Sequence, residues 1–162
     1  MTHTIALVVA AALAGTAQDK PRSTDMTTAT TIEKNKETVR RLYQECLDQG
    51  ALDRVAELVA AEYVGASGER GPAGMTATLA ALRGAFPDIH FTLEDLIAAG
   101  DRVVVRWTWK GTHQGRFREL AASHKTLSNS GMAIYQLAGG KMIRSWLQTD
   151  RLGLLQQLGA LP

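Results

Sequence analysis

A chain of 162 residues, 45% hydrophobic and 21% charged, has the length and balance of one globular domain with a sizeable core. Its formal net charge is +2 and Arg40-Arg41 is the only adjacent basic pair, so no basic stripe supports nucleic-acid binding. The lone Cys46 excludes an intrachain disulfide and a cysteine-built zinc site, and its place on an apolar helix face reads as a small buried hydrophobe.

The chain opens with an apolar run, Ile5 to Ala14, too short to span a bilayer. Gly15-Thr16-Ala17 then suits signal-peptide cleavage after Ala17, although no Lys or Arg precedes the run. A start at Met26 is the alternative. The first implies a periplasmic or secreted protein and the second a cytoplasmic one. On either reading residues 1–30 are a leader outside the fold, and residues 31–162 form the domain.

Val39, Leu42, Tyr43, Cys46 and Leu47 recur at spacings of three and four, which predicts an amphipathic helix. Thr30 with Glu33 makes a capping box at its start, and Gly50 a stop. Leu52, Val55, Ala56 and Val59 continue the pattern in a second short helix, which glycine-rich residues 62–74 interrupt. Pro72 suits the first turn of a third helix carrying Met75, Leu79, Leu82 and Phe86 on its apolar face.

After Pro87 the period changes to two. Ile89, Phe91 and Leu93 alternate with polar residues in a first predicted strand, and Gly100-Asp101 turns into a second from Val103 to Lys110. Residues 127–137 form a third strand, Gly139-Gly140 a turn and residues 142–150 a fourth; Leu152 to Leu158 closes the chain as a helix ending at Gly159. Helices followed by hairpin-linked strands define an α+β domain.

Along the last strand Trp146, Gln148 and Asp150 share one parity, and an indole, an amide and a carboxylate on one face suit a pocket wall. Asp150 also suits the N-cap of the closing helix. Trp107, Trp109 and His113 share a parity on the second strand, with Arg106 and Lys110 facing the other way. His113 reads either as a second acid/base or as a loop anchor, and the tryptophans as core and pocket wall. Tyr135 and Asn129 share a face of the third strand that alternation alone does not assign. Tyr43 and Tyr63 read as core phenols within reach of a pocket. The four histidines show no metal-ligand spacing, and no phosphate loop, dinucleotide fingerprint or nucleophile elbow is present.

Four segments in order carry a resemblance: residues 86–91 (FPDIHF), residues 100–113 (GDRVVVRWTWKGTH), residues 139–146 (GGKMIRSW) and residues 150–159 (DRLGLLQQLG). Over residues 33–160 the chain resembles the SnoaL-like polyketide cyclases (ester cyclases) of the nuclear transport factor two-like superfamily. The resemblance implies a curved antiparallel sheet wrapped around N-terminal helices, a cone with an internal pocket. It implies a homodimer packed through the outer sheet face and a small hydrophobic partner; the short apolar run already argues against a membrane span.

It further implies cofactor-free acid/base chemistry, an aldol cyclisation or isomerisation of a hydrophobic carbonyl compound. Asp150 would be the general acid/base, with Gln148 and His113 polarising or orienting the substrate. Trp107, Trp109, Trp146, Tyr135 and Tyr63 would line the pocket. Two departures stand out: Gly65-Ala66 replaces a polar residue that many relatives carry, and residues 119–125 keep only Lys125 of a common loop pattern. The competing readings are a non-catalytic hydrophobic-ligand binder and an epoxide-hydrolase-type water activation, for which Asp95 and Arg144 are the nearest available pair.

Overall fold

The computed structural model describes residues 23–161. The apolar run and the cleavage site expected near the N-terminus lie outside the described residues. Helix α1 (Ser23–Arg41) continues into a π-helical stretch, Leu42–Asp48, which buries Leu42, Tyr43, Cys46 and Leu47. A 3-10 turn (Leu52–Arg54) and α2 (Val55–Leu58) lead into strand β1 (Val59–Val64). Helix α3 (Gly71–Ala85) follows, then β2 (His90–Ala99), β3 (Arg102–Thr112), β4 (Thr126–Ala138), β5 (Lys141–Thr149) and α4 (Arg151–Leu158).

The expected α+β fold is present: one curved, unclosed five-stranded sheet in the order β1-β5-β4-β3-β2, with the helices on its concave face. Three strand pairs are antiparallel. The fourth, β1 against β5, is parallel and departs from the expected all-antiparallel sheet. Strand β1 is also the element the sequence conceals. Val59, Ala60 and Tyr63 carry its buried side chains in a pattern that is neither clean alternation nor distinct from the helical spacing before it.

Thr30 is not a cap. It lies inside α1, and its hydroxyl donates to the Met26 carbonyl at 2.8 Å. The turns from Met26 to Thr31 are exposed, so no apolar periodicity marks them. Gly50 does end the first helical stretch, in the left-handed region at φ +76°. A Cβ there would stand 2.9 Å from the guanidinium of Arg83, which reaches over from α3 to the carbonyls of Leu47 and Asp48. That clamp fixes the end of the π-helical stretch, and with it the position of Tyr43.

The core fills the concave side, where Val39, Tyr43 and Cys46 meet Phe86, Val103, Val105, Trp107, Tyr135 and Met142. Cys46 is fully buried, as read from the sequence. Arg106 and Lys110 are exposed, also as read. Among the described residues no helix is long and apolar enough to cross a membrane.

Candidate functional site

Sheet register decides which side chains look inward. Opposed residues in an antiparallel ladder share a face. Val103 opposes Tyr135, which opposes Ser145; Trp107 opposes Gly131, which opposes Thr149; Trp109 opposes Asn129. All of these except Val103 and Gly131 line one cavity of about 550 Å³ between the sheet and the helices.

The expected pocket residues Trp107, Trp109, Tyr135 and Tyr63 therefore stand together, joined by Tyr43 and Asn129. Trp146 and Gln148 do not join them. Counting by two from buried Met142 puts Trp146 and Gln148 on the inner face, but the register slips. Leu137 opposes Met142 while Gln136 opposes Arg144, so Ile143 is an extra residue in β5. This bulge reverses the parity of every later side chain. Ser145, Leu147 and Thr149 consequently face the cavity. Trp146 lies 40% exposed on the outer side, between the guanidiniums of Arg102 and Arg144 at 5.4 and 5.5 Å.

Asp150 stands beyond the end of β5, exposed and apart from the cavity lining. Its Oδ1 accepts the Gly153 amide at 2.8 Å, the N-cap of α4. His113 is fully buried behind Phe86, at a ring separation of 5.3 Å, and is not among the cavity residues. Its Nδ1 accepts the Ser123 amide at 3.2 Å, and its backbone pairs with Lys125 and His124. It thus ties down both ends of the 113–125 loop, whose Arg116, Phe117 and Arg118 border the cavity. Burial is the main cause holding the imidazole below its ordinary pKa, and nearby His124 adds to it.

The buried polar groups of the cavity are the three phenols, Asn129, Ser145 and the indoles of Trp107 and Trp109. The hydroxyls of Tyr43 and Tyr135 meet at 3.1 Å, and the Tyr63 hydroxyl meets Ser145 Oγ at 2.7 Å. The Trp107 indole N–H lies close to the Tyr43 hydroxyl without closing a hydrogen bond. Asn129 Oδ1 is taken by the Ser130 amide at 2.8 Å. Burial raises all three phenols, Tyr63 to about 12 and Tyr135 well above its usual value, with the Glu69 charge a lesser contributor at both. Ring packing at 5.4 Å between Tyr43 and Phe91, and at 5.3 Å between Phe91 and Trp107, holds the floor.

Glu69 is the one carboxylate among the cavity residues. No periodicity or motif marks it, because it sits in a glycine-rich stretch that reads as loop. What makes room for it is Gly65. A Cβ at residue 65 would stand 2.1 Å from the Glu69 Cδ, so the acid lies where that side chain would be. Its Oε2 accepts the Ser67 amide at 2.9 Å, and its carbonyl accepts the Gly65 amide at 2.8 Å. Among the described residues no three His, Cys, Asp or Glu side chains gather as a metal would require.

Curved sheet, largely apolar cavity and buried phenols define a small cone-shaped α+β pocket protein. The family model for SnoaL-like polyketide cyclase matches residues 37–158, and the chain belongs to that family. Among solved structures it is similar to a candidate polyketide cyclase from Acidithiobacillus ferrooxidans, with 31% identity, 80% of this chain and 96% of that one covered, and a TM-score of 0.70. A candidate SnoaL-like polyketide cyclase from Jannaschia sp. CCS1 matches at 26% identity over 88% of this chain and 99% of that one, TM-score 0.75. TsrD from Streptomyces laurentii matches at 28% identity over 82% and 97%, TM-score 0.70. No curated relative matches the chain.

Proposed function

We propose that the cavity binds a hydrophobic carbonyl compound and carries out acid/base chemistry on it, an aldol cyclisation or an isomerisation through an enolate. The observation that carries this reading is the phenol pair. Tyr43 and Tyr135 bring two hydroxyl protons to one shared hydrogen bond, and the Trp107 N–H crowds the same spot. One phenolic proton is left with no protein acceptor, inside a largely apolar cavity of about 550 Å³. A ligand carbonyl oxygen satisfies that proton. As charge grows on this oxygen during enolisation, the same donor holds it more strongly, because the phenols are buried and already in place. The candidate cyclases among the similar structures support this chemistry by analogy.

The test compares 2-acetonaphthone with 2-ethylnaphthalene, its near-isostere without the oxygen, by quenching of tryptophan fluorescence. A hydrogen bond worth about 1.4 kcal/mol gives the ketone roughly tenfold tighter binding, a preference that Tyr43→Phe/Tyr135→Phe removes. Equal affinities for the two compounds would sink the reading.

The alternative of a hydrophobic-ligand binder without turnover draws on the capping role of Asp150, which occupies the carboxylate expected to do chemistry. It predicts the same preference with no proton exchange at the bound ketone. For assembly we infer a homodimer through the outer sheet face. Ile97, Val104, Ile134 and Trp146 oppose one another in a row across four strands there, and Met132 is 52% exposed beside them. Light scattering that reports a monomer at micromolar concentration counts against it.

A further inference from the structure

The cavity holds two kinds of partner for a carbonyl compound, hydroxyl donors on its floor and a carboxylate on its wall, and the sequence pointed to a different carboxylate. Asp150 and Glu69 are built alike. Each lies over a glycine and accepts a backbone amide two or three residues away: Asp150 over Gly153, and Glu69 over Gly65 with the Ser67 amide. They differ in where they face. Asp150 closes the first turn of α4 in solvent, whereas Glu69 is half-buried among the cavity residues, on the turn that follows Tyr63 in β1. A carboxylate that accepts one N–H bond keeps its other oxygen available as a proton acceptor.

We propose that Glu69, seated in the space left by Gly65, is the catalytic base of the cavity and takes the role that the family resemblance assigns to Asp150. The inference rests on the carbonyl chemistry proposed above. A free Glu69 carboxylate oxygen takes a proton from the carbon next to the ketone. The C–H electron pair becomes the enolate C=C, and the C=O pair moves onto the oxygen held by the Tyr43–Tyr135 pair. The enolate carbon then attacks a second carbonyl carbon of the same molecule, forming one C–C bond, and the proton on Glu69 passes to the new alkoxide. For an isomerisation it returns to a different carbon. Protons and electrons balance with no other reactant.

Gly65 is a positioning residue on this account. Any side chain there displaces the carboxylate while leaving its charge in place. This also accounts for the departure at residue 65: a polar side chain at that position and a glutamate at 69 compete for one volume.

The experiment follows loss of the methyl protons of 2-acetonaphthone in deuterated buffer by NMR. Wild type is compared with Glu69→Gln, Gly65→Ala and Asp150→Asn, each checked for folding by circular dichroism. Wild type should speed exchange above buffer. Glu69→Gln, whose amide oxygen can still accept the Ser67 amide, should lose about 100-fold with the ketone still bound. Gly65→Ala should fall markedly though its carboxylate remains, and Glu69→Asp, one methylene short, should fall between. Exchange at the wild-type rate in Glu69→Gln, or a loss confined to Asp150→Asn, overturns the assignment. Absence of catalysed exchange in wild type, with the ketone preference intact, overturns Glu69 as base but leaves carbonyl binding standing. Loss of the ketone preference itself defeats the underlying reading instead.

Discussion

All three tyrosines of the chain, Tyr43, Tyr63 and Tyr135, line the cavity, and burial raises the pKa of each. The perturbation that tests this is alkali. An unfolded tyrosine loses its proton near pH 10, whereas these three in the native state resist doing so. A folded pKa raised above the unfolded one contributes stability that is complete below about pH 10 and is lost as pH rises toward the folded value. Each such group removes about 1.4 kcal/mol per pH unit over its window, and the three together about 4. Tyr63 alone, raised to about 12, accounts for about 3 kcal/mol across its two-unit window. Against a total stability of about 5–15 kcal/mol, the fold should fail near pH 12. Absorbance of the phenolate band, read alongside far-ultraviolet circular dichroism, should stay silent through pH 10 to 11. It should then rise in one step with loss of the native dichroism. A gradual phenolate rise centred near pH 10, while the dichroism stays native, would refute the buried-phenol cavity.

Replacing Tyr135 or Tyr43 singly by Phe should cost about 1–2 kcal/mol and lower Tm by roughly 3–6 °C, because a buried hydroxyl loses its partner. The double variant should cost less than the sum of the two, which a double-mutant cycle in urea measures. Gly131→Ala should destabilise by about 1–3 kcal/mol, since its Cβ would stand 2.6 Å from both the Gln148 carbonyl and the Trp107 ring; a thermal melt reads it. Asp150→Ala should cost about 1 kcal/mol as a lost N-cap, with Asp150→Asn close to neutral in the same melt.

Much of the architecture could be read from periodicity, and the site only in part. Strands β2 to β5 and helices α3 and α4 are legible as elements, because the apolar period changes from helical to two after Pro87 and glycine turns join β2 to β3 and β4 to β5. Trp107 and Trp109 were legible as wall residues for the same reason, since β3 runs without a bulge from Trp107 to Thr112. The parity of β5 was not, because the extra residue at Ile143 is a property of pairing with β4 and leaves no mark in β5 itself. β1 was hidden by helical spacing that runs on into it. Glu69 was hidden twice over: it belongs to no periodic element, and its inward position depends on the missing side chain at Gly65 rather than on its own neighbours in sequence.

The parallel pairing of β1 with β5 bears on how the chain becomes a container at all. Val59 pairs with Met142, so about 80 residues of chain must be ordered or made before that edge finds its partner. The strands between them form hairpins from neighbouring segments and can assemble early, whereas β1 is synthesised first and joins last. Until it docks, one wall of the container is missing and the apolar lining faces solvent. Closure of β1 onto β5 is therefore a natural late step in folding, and the intermediate before it is the species most exposed to aggregation.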